Sequence, residues 1–392
     1  ESKSTYVTDD KGEIKKREDD DITLTTKNET TDETETTDET ETTDKTKPTS
    51  NTVTIDAKEG NTANVTLQDV HIEVDTGKAK SGAIEIKGDG NTNLELNGDN
   101  TVMVKNGWEE EHAAIEKADK YGTGTLTIKD DEDTPGTLLA GGYHEAAAIG
   151  GGAGEDLCDT SNITITGGEI TAIGGNDGGC GIGGGGRPGG TGKNICIKGN
   201  AHVTAAGAEG AAIGGGASGG NSITITDHAV VDAYGAWGSA IGDGGLYSSG
   251  NGSATTITIS GNATVKAETV QSGSAIGAGQ HGDSGDLTIN IEENANVTAI
   301  GSFDAPAIGN RYGTDGTTTI NITGGTVNAI NSFGSDDPEY SYLHDGTRDH
   351  SPAIGATIYK SEYYDGATCN VNINSSTGDT VVNAYIYGKG SG

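Results

Sequence analysis

The side chains that could do chemistry in this chain are mostly carboxylates. It carries 59 Asp and Glu against 24 Lys and Arg. Several lie in Gly/Asn/Asp-rich loops, the setting in which Ca²⁺ finds six to eight oxygen ligands. The candidate calcium ligands are Asp177, Asp243, Asp283, Asp286, Asp336 and Asp337, with plain solvated surface carboxylates as the favoured alternative, since no stretch matches an EF-hand loop or the nonapeptide G-G-x-G-x-D. A second chemistry is sugar recognition, in which exposed rings stack on pyranose faces beside carboxylates that bind hydroxyls. Tyr340, Tyr342, His344 and Asp345 form one such group, and Trp237 with Tyr247 a second, weaker one. Four cysteines, Cys158, Cys180, Cys196 and Cys369, include no C-x-x-C pair, which argues against zinc.

These groups are carried by a repeating framework. The unit A-I-G recurs as AAIGGG (147–152), GIGGGG (181–186), AAIGGG (211–216), SAIGDG (239–244), SAIGAG (274–279), PAIGNR (306–311) and PAIGAT (352–357). Two degenerate copies, GAIEI (82–86) and AAIEK (113–117), come first. The isoleucines recur every 28–35 residues, except for one interval of 46 between Ile308 and Ile354, where an insertion near 333–350 is expected. After each unit come two alternating apolar and polar segments, such as NITIT then EITAI, and SITIT then VVDAY. Period-two alternation marks strands with one buried face. Only the stretch around Trp108–Lys120 shows any helical period.

Three short strands per repeat of roughly 32 residues predict a single-stranded, all-β parallel β-helix of about ten coils, about 48 Å long at the strand spacing. Parallel crossovers favour the right hand. A narrow core accounts for the composition, with 66 glycines, 31% hydrophobic residues and only 2 Trp and 2 Phe. Residues 51–392 are assigned to the rod, with residues 51–80 and a Tyr-rich C-terminus as its expected end caps. Residues 1–50, with the repeat TTDETETTDETETTD, are expected to be a disordered, solvated tether. Without it the rod still holds 43 acidic and 16 basic residues. Such charge repels phosphate and argues against nucleic acid, and no apolar run is long enough for a membrane span.

The recurring AAIGGG with its ITITGG and V-T-A-x-G strands resembles the glycine-rich β-helix repeats of secreted and cell-surface proteins of Gram-positive anaerobes, over about residues 80–390. The resemblance implies an adhesin-like or carbohydrate-binding module, displayed outside a bacterial cell and contacting a glycan or another host or cell-surface polymer. It identifies no catalytic residue. The start and end of the chain show neither a signal region nor a sorting motif, so a mature or trimmed piece is expected.

β-Helices also include polysaccharide lyases and some glycoside hydrolases, so a calcium-dependent polysaccharide-degrading enzyme is the alternative. A lyase needs an Arg or Lys base, but Arg17, Arg187, Arg311 and Arg348 fall outside the expected strands. Lys266 stacks beside Asp232, read as an exposed ion pair. No carboxyl pair suited to hydrolysis is evident. Outward T-x-T files such as Thr164/Thr166 and Thr224/Thr226 suggest ice binding as a third, less favoured reading, though Cys196/Lys198 and Glu292 interrupt them. At most one disulfide can form, among Cys158, Cys180 and Cys196. Cys369, about five coils away, is left free or available for an intermolecular bond.

Overall fold

The computed structural model describes residues 5–8, 14–17, 22–25, 48–106, 111–131, 135–154, 156–216, 221–245, 254–280, 285–302, 305–311, 316–332, 351–356, 368–375 and 379–387. Three long sheets of 12, 11 and 10 strands run side by side, and from Val53 onward consecutive strands in sequence fall in different sheets. Each strand pairs in parallel with its equivalent one repeat later, as Ile182 does with Ile213, Ile195 with Ile223 and Val203 with Val231. Ten successive triplets follow, the first being Val53–Asp56, Thr62–Gln68 and His71–Asp75, the last Ile354–Ala356, Thr368–Ile373 and Thr380–Tyr387. This is a parallel β-solenoid. Residues 51–80 thus supply the first coil itself rather than a separate cap.

The long interval between Ile308 and Ile354 is one coil, because these two residues are register partners. The expected insertion at 333–350 lies outside the described residues. In place of the helical period expected around 108–120, the described part, 111–120, carries the strand Ile115–Glu116 and the start of a 3-10 turn at Asp119–Tyr121. Three short pieces of the N-terminal acidic segment also pair with the rod. Ile22–Leu24 runs parallel to Val65–Leu67, and Thr5–Thr8 lies antiparallel between Ile14–Arg17 and Thr54–Asp56.

Each sheet presents its own type of ladder to the core. The first carries the A-I-G isoleucines, fully buried from Ile84 to Ile308. The second supplies two isoleucine files, for example Ile163–Ile195–Ile223–Ile257 and Ile165–Ile197–Ile225–Ile259. The third supplies a valine file and an alanine file, including Val203–Val231–Val265 and Ala205–Ala233–Ala267. Each buried isoleucine or valine contributes on the order of 2 kcal/mol by leaving water, and small Val/Ala partners fit where two sheets converge.

The A-I-G glycine is required by geometry. Gly150, Gly183, Gly214, Gly242, Gly277, Gly309 and Gly355 all sit at φ between 135° and 139°. For the first six, an added Cβ would overlap the carbonyl oxygen of the next glycine in the ladder. Glu85 and Glu116 occupy this position in the second and third coils, and neither has a positive φ. That departure from the repeat marks the start of an unusual site.

Candidate functional site

The turn leading into the first sheet carries a run of charged groups. Four residues before the ladder isoleucine stand Glu111, Glu145, Glu209 and then Trp237 in four of the coils. Their carbonyls have equivalent partners, accepting from the N–H groups of Ala153, Gly186, Gly245 and Gln280 at 2.7, 2.5, 2.7 and 3.0 Å. One residue earlier stand His144 and Asp177 in successive coils. Stacking therefore draws together side chains that are a full repeat apart in sequence.

Two His/carboxylate groups result. In the first, His112 Nδ1 lies 2.9 Å and 3.1 Å from the two carboxylate oxygens of Glu116. Glu85, the register partner of Glu116 one coil earlier, completes a triad whose ligand atoms lie within 4.8 Å of one another. All three side chains are buried. Lys87 Nζ stands 2.7 Å from Glu85 and 4.4 Å from the Tyr121 ring centroid. In the second group, His144 bridges two coils, with Nδ1 2.6 Å from Glu111 and Nε2 2.7 Å from Asp177. Glu145 lies within ligand distance of Glu111 and His144 and faces Arg187 at 3.5 Å.

Burial tunes the charges along this corner. It pushes the Glu111 carboxyl above the ordinary value, partly offset by the N–H of Glu145, which donates at 2.7 Å, and by His144. Glu209 is also raised, by burial first and by repulsion from Asp177 second. Lys117, beside Glu116 and 1% exposed, is pushed down by desolvation while its Nζ donates to Gly122 O at 3.1 Å. An imidazole among two or three carboxylates can hold a divalent cation or a shared proton.

The outer face of the second sheet has the opposite character. One file runs Thr164, Cys196, Thr224, Thr258, Asn290, Asn321, Asn372 in unbroken register. The adjacent file runs Ser222, Thr256, Thr288, Thr319, Asn370. All of these are half-buried or exposed, and none is charged. The amides interlock along the rod axis, Asn372 Nδ2 donating to Asn321 Oδ1 at 2.8 Å and Asn321 Nδ2 to Asn290 Oδ1 at 2.9 Å. Charge returns on both flanks of these files, at Lys198 and Glu292 on one side and at the exposed Asp286 on the other.

The residues expected from sequence are not gathered into one site. Asp177 is half-buried and paired with His144. Asp243 is not a surface carboxylate. It is fully buried in the wall, and its Oδ1 accepts from Asn221 Nδ2 and Thr255 Oγ1, both at 2.6 Å. Asp286 is exposed and accepts from the Thr317 N–H at 2.8 Å. These three belong to different coils and do not converge. Trp237 is half-buried at the turn that carries the charged run. Asp283, Asp336, Asp337, Tyr340, Tyr342, His344, Asp345 and Tyr247 lie outside the described residues. Lys266 is in register with Asp232 as expected, yet its ion-pair partner is Glu268 at 3.0 Å, and its Nζ stands 5.3 Å from the Tyr234 ring centroid.

All four cysteines are free thiols. Cys196 takes the outward position between Thr164 and Thr224. Cys180 replaces an alanine in the small corner cluster of Ala113, Ala147 and Ala211, and its Sγ donates to Gly214 O at 3.3 Å. Burial pushes Cys158 up to about 11 and Cys180 further still. Cys369 is half-buried and packs against the core ladder.

Glu85, Glu111, His112, Glu116, His144 and Glu145 form no recognisable motif in the sequence. Their one signal is in GAIEI and AAIEK, where glutamate takes the place of the ladder glycine.

A family model described as a β-helix repeat matches residues 163–186, 257–280 and 320–337. The first two matches each span strands of all three sheets, from Ile163 through Gly183 and from Ile257 through Gly277. The chain is thus a β-helix repeat protein by both sequence and fold. No curated protein and no solved structure matches it. Among the described residues, no helix is long and apolar enough to cross a membrane.

Proposed function

We propose that this β-helical rod is a non-catalytic binding module, displayed outside a bacterial cell, that holds a neutral polysaccharide or cell-surface glycan along the outer face of its second sheet. The observation that carries the reading is the uncharged hydroxyl and amide face on a chain whose formal net charge is −35. Thr164 to Asn372 offers donors and acceptors at each coil over about 29 Å, at about 4.8 Å per strand. A polymer with repeating hydroxyls can meet such a row many times, and modest contacts multiply when linked. The flanking carboxylates repel acidic polymers, which favours neutral ones.

The test is binding of the full chain to immobilised neutral and acidic glycans, with and without EDTA, while product release is monitored. We expect neutral-glycan binding that persists in EDTA, is lost in Asn321→Lys and Thr256→Lys, and releases nothing. Unsaturated or reducing-end products would instead support the calcium-dependent enzyme. Thermal hysteresis in place of glycan binding would move the same face to ice.

A further inference from the structure

The triad in the second and third coils is built differently from the rest of the rod. In seven later coils the position after the ladder isoleucine is a glycine at φ between 135° and 139°. At Glu85 and Glu116 the chain gives up that conformation and places two carboxylates in direct register. Their side chains are only 6% and 0% exposed. Two carboxylates stacked out of water call for a proton, a cation or hydrogen-bond donors between them. Lys87 reaches Glu85 alone, at 2.7 Å, and is itself about one-third exposed at 32%. The group shared by both carboxylates is His112, 5% exposed, whose Nδ1 faces Glu116 and which has a ring nitrogen within 4.8 Å of a Glu85 oxygen.

The surroundings hold the donors in place. The Ala113 N–H donates to Glu116 Oε2 at 3.0 Å, and Thr54 Oγ1 donates to Glu85 Oε2 at 3.2 Å. Outer contacts of this kind orient the ligands of metal sites. Space for the Glu116 carboxylate depends on Gly152, where a Cβ would stand 3.1 Å from Oε2. An imidazole with two carboxylates suits a first-row divalent cation of the zinc type. Calcium would require more oxygens than this wall supplies. The neighbouring group around His144 is less enclosed, since His144 and Glu145 are half-buried where all three members of the first triad are buried.

We propose that Glu85, His112 and Glu116 bind one divalent transition-metal ion, with Zn²⁺ as the representative, inside the wall of the first sheet, clamping the second coil to the third. The site is independent of what the outer face of the second sheet binds. The test uses the full chain stripped with a chelator and titrated with Zn²⁺, Mn²⁺ and Ca²⁺ by calorimetry, with bound metal counted by mass spectrometry. We expect a Zn²⁺ site that weakens at least ~100-fold in His112→Ala and in Glu116→Gln, removal of a ligand being more severe than the ~10–100-fold typical of outer-shell changes. The same site should persist in His144→Ala. Because the buried variants can fail to fold, anomalous diffraction from the unmutated chain at the zinc edge provides a second reading. An ion between His112 Nδ1 and the two carboxylates supports the proposal. No bound zinc, an ion beside His144, or affinity unchanged in both folded variants overturns it.

Discussion

Replacing Gly242 with alanine tests the central structural argument, that the A-I-G glycine is imposed by coil stacking. Gly242 has φ 135°, a conformation that costs a residue with a Cβ about 1–3 kcal/mol. The added Cβ would also fall inside 3.0 Å of the Gly277 carbonyl oxygen, a separation real Cβ atoms do not show. That oxygen accepts from the Asp243 N–H at 2.9 Å, so moving it away weakens an inter-coil hydrogen bond. The bond adds about 0.5–1.5 kcal/mol, and the total becomes about 1.5–4.5 kcal/mol. Gly154→Ala is the matched control. Gly154 has φ 104° with nothing within 4 Å of an added Cβ, so only the backbone cost applies, about 1–3 kcal/mol. Stability is best followed by hydrogen exchange coil by coil alongside urea unfolding, since long repeat arrays need not unfold in one step. Protection should fall most in the Asp243 and Ile276 coils of Gly242→Ala. Equal losses in the two variants, or a loss under ~1 kcal/mol at Gly242, would refute the stacking argument.

Other expectations follow from single side chains. Asp243→Ala removes a buried acceptor of two 2.6 Å hydrogen bonds and should cost on the order of 3 kcal/mol in chemical unfolding; an EDTA-sensitive wild type with no such loss in the variant would return Asp243 to calcium. Native protein treated with a thiol reagent at pH 8 should label Cys196 and Cys369 and spare Cys158 and Cys180, because burial raises all four thiols but only the latter pair is fully enclosed and the most strongly raised; four equally reactive thiols would contradict this. Glu209 titrates above its ordinary 4.5 in the fold, so the folded state holds the proton more tightly and its contribution fades as pH rises from 4.5 through the raised value. Glu209→Gln should therefore be slightly more stable than wild type at pH 7 and no different at pH 3 by thermal melting. Tyr340→Ala with Tyr342→Ala tests the alternative glycan contact, and unchanged binding there together with loss in Asn321→Lys would keep the site on the second sheet.

The sequence by itself determined the architecture. Ile149, Ile182, Ile213 and Ile241 repeat at one-coil intervals, and a period-two strand follows each. Nearest-neighbour stacking leaves one register that keeps every isoleucine inside, so a one-dimensional pattern specifies a one-dimensional fold. The outward Thr and Asn files and the position of Cys196 were legible for the same reason.

Coil stacking settles which polar groups meet across coils and which are submerged. Asp243 reads in sequence as a loop carboxylate, yet Asn221 and Thr255 enclose it. His112 and Glu116 are neighbours in sequence, but Glu85 joins them from a coil earlier, and Asp177 reaches His144 from a coil later. Turn lengths between strands vary, so loop residues carry no fixed register that the repeat would reveal. Strand ladders specify position through backbone pairing, whereas turn side chains meet only once the coils have stacked.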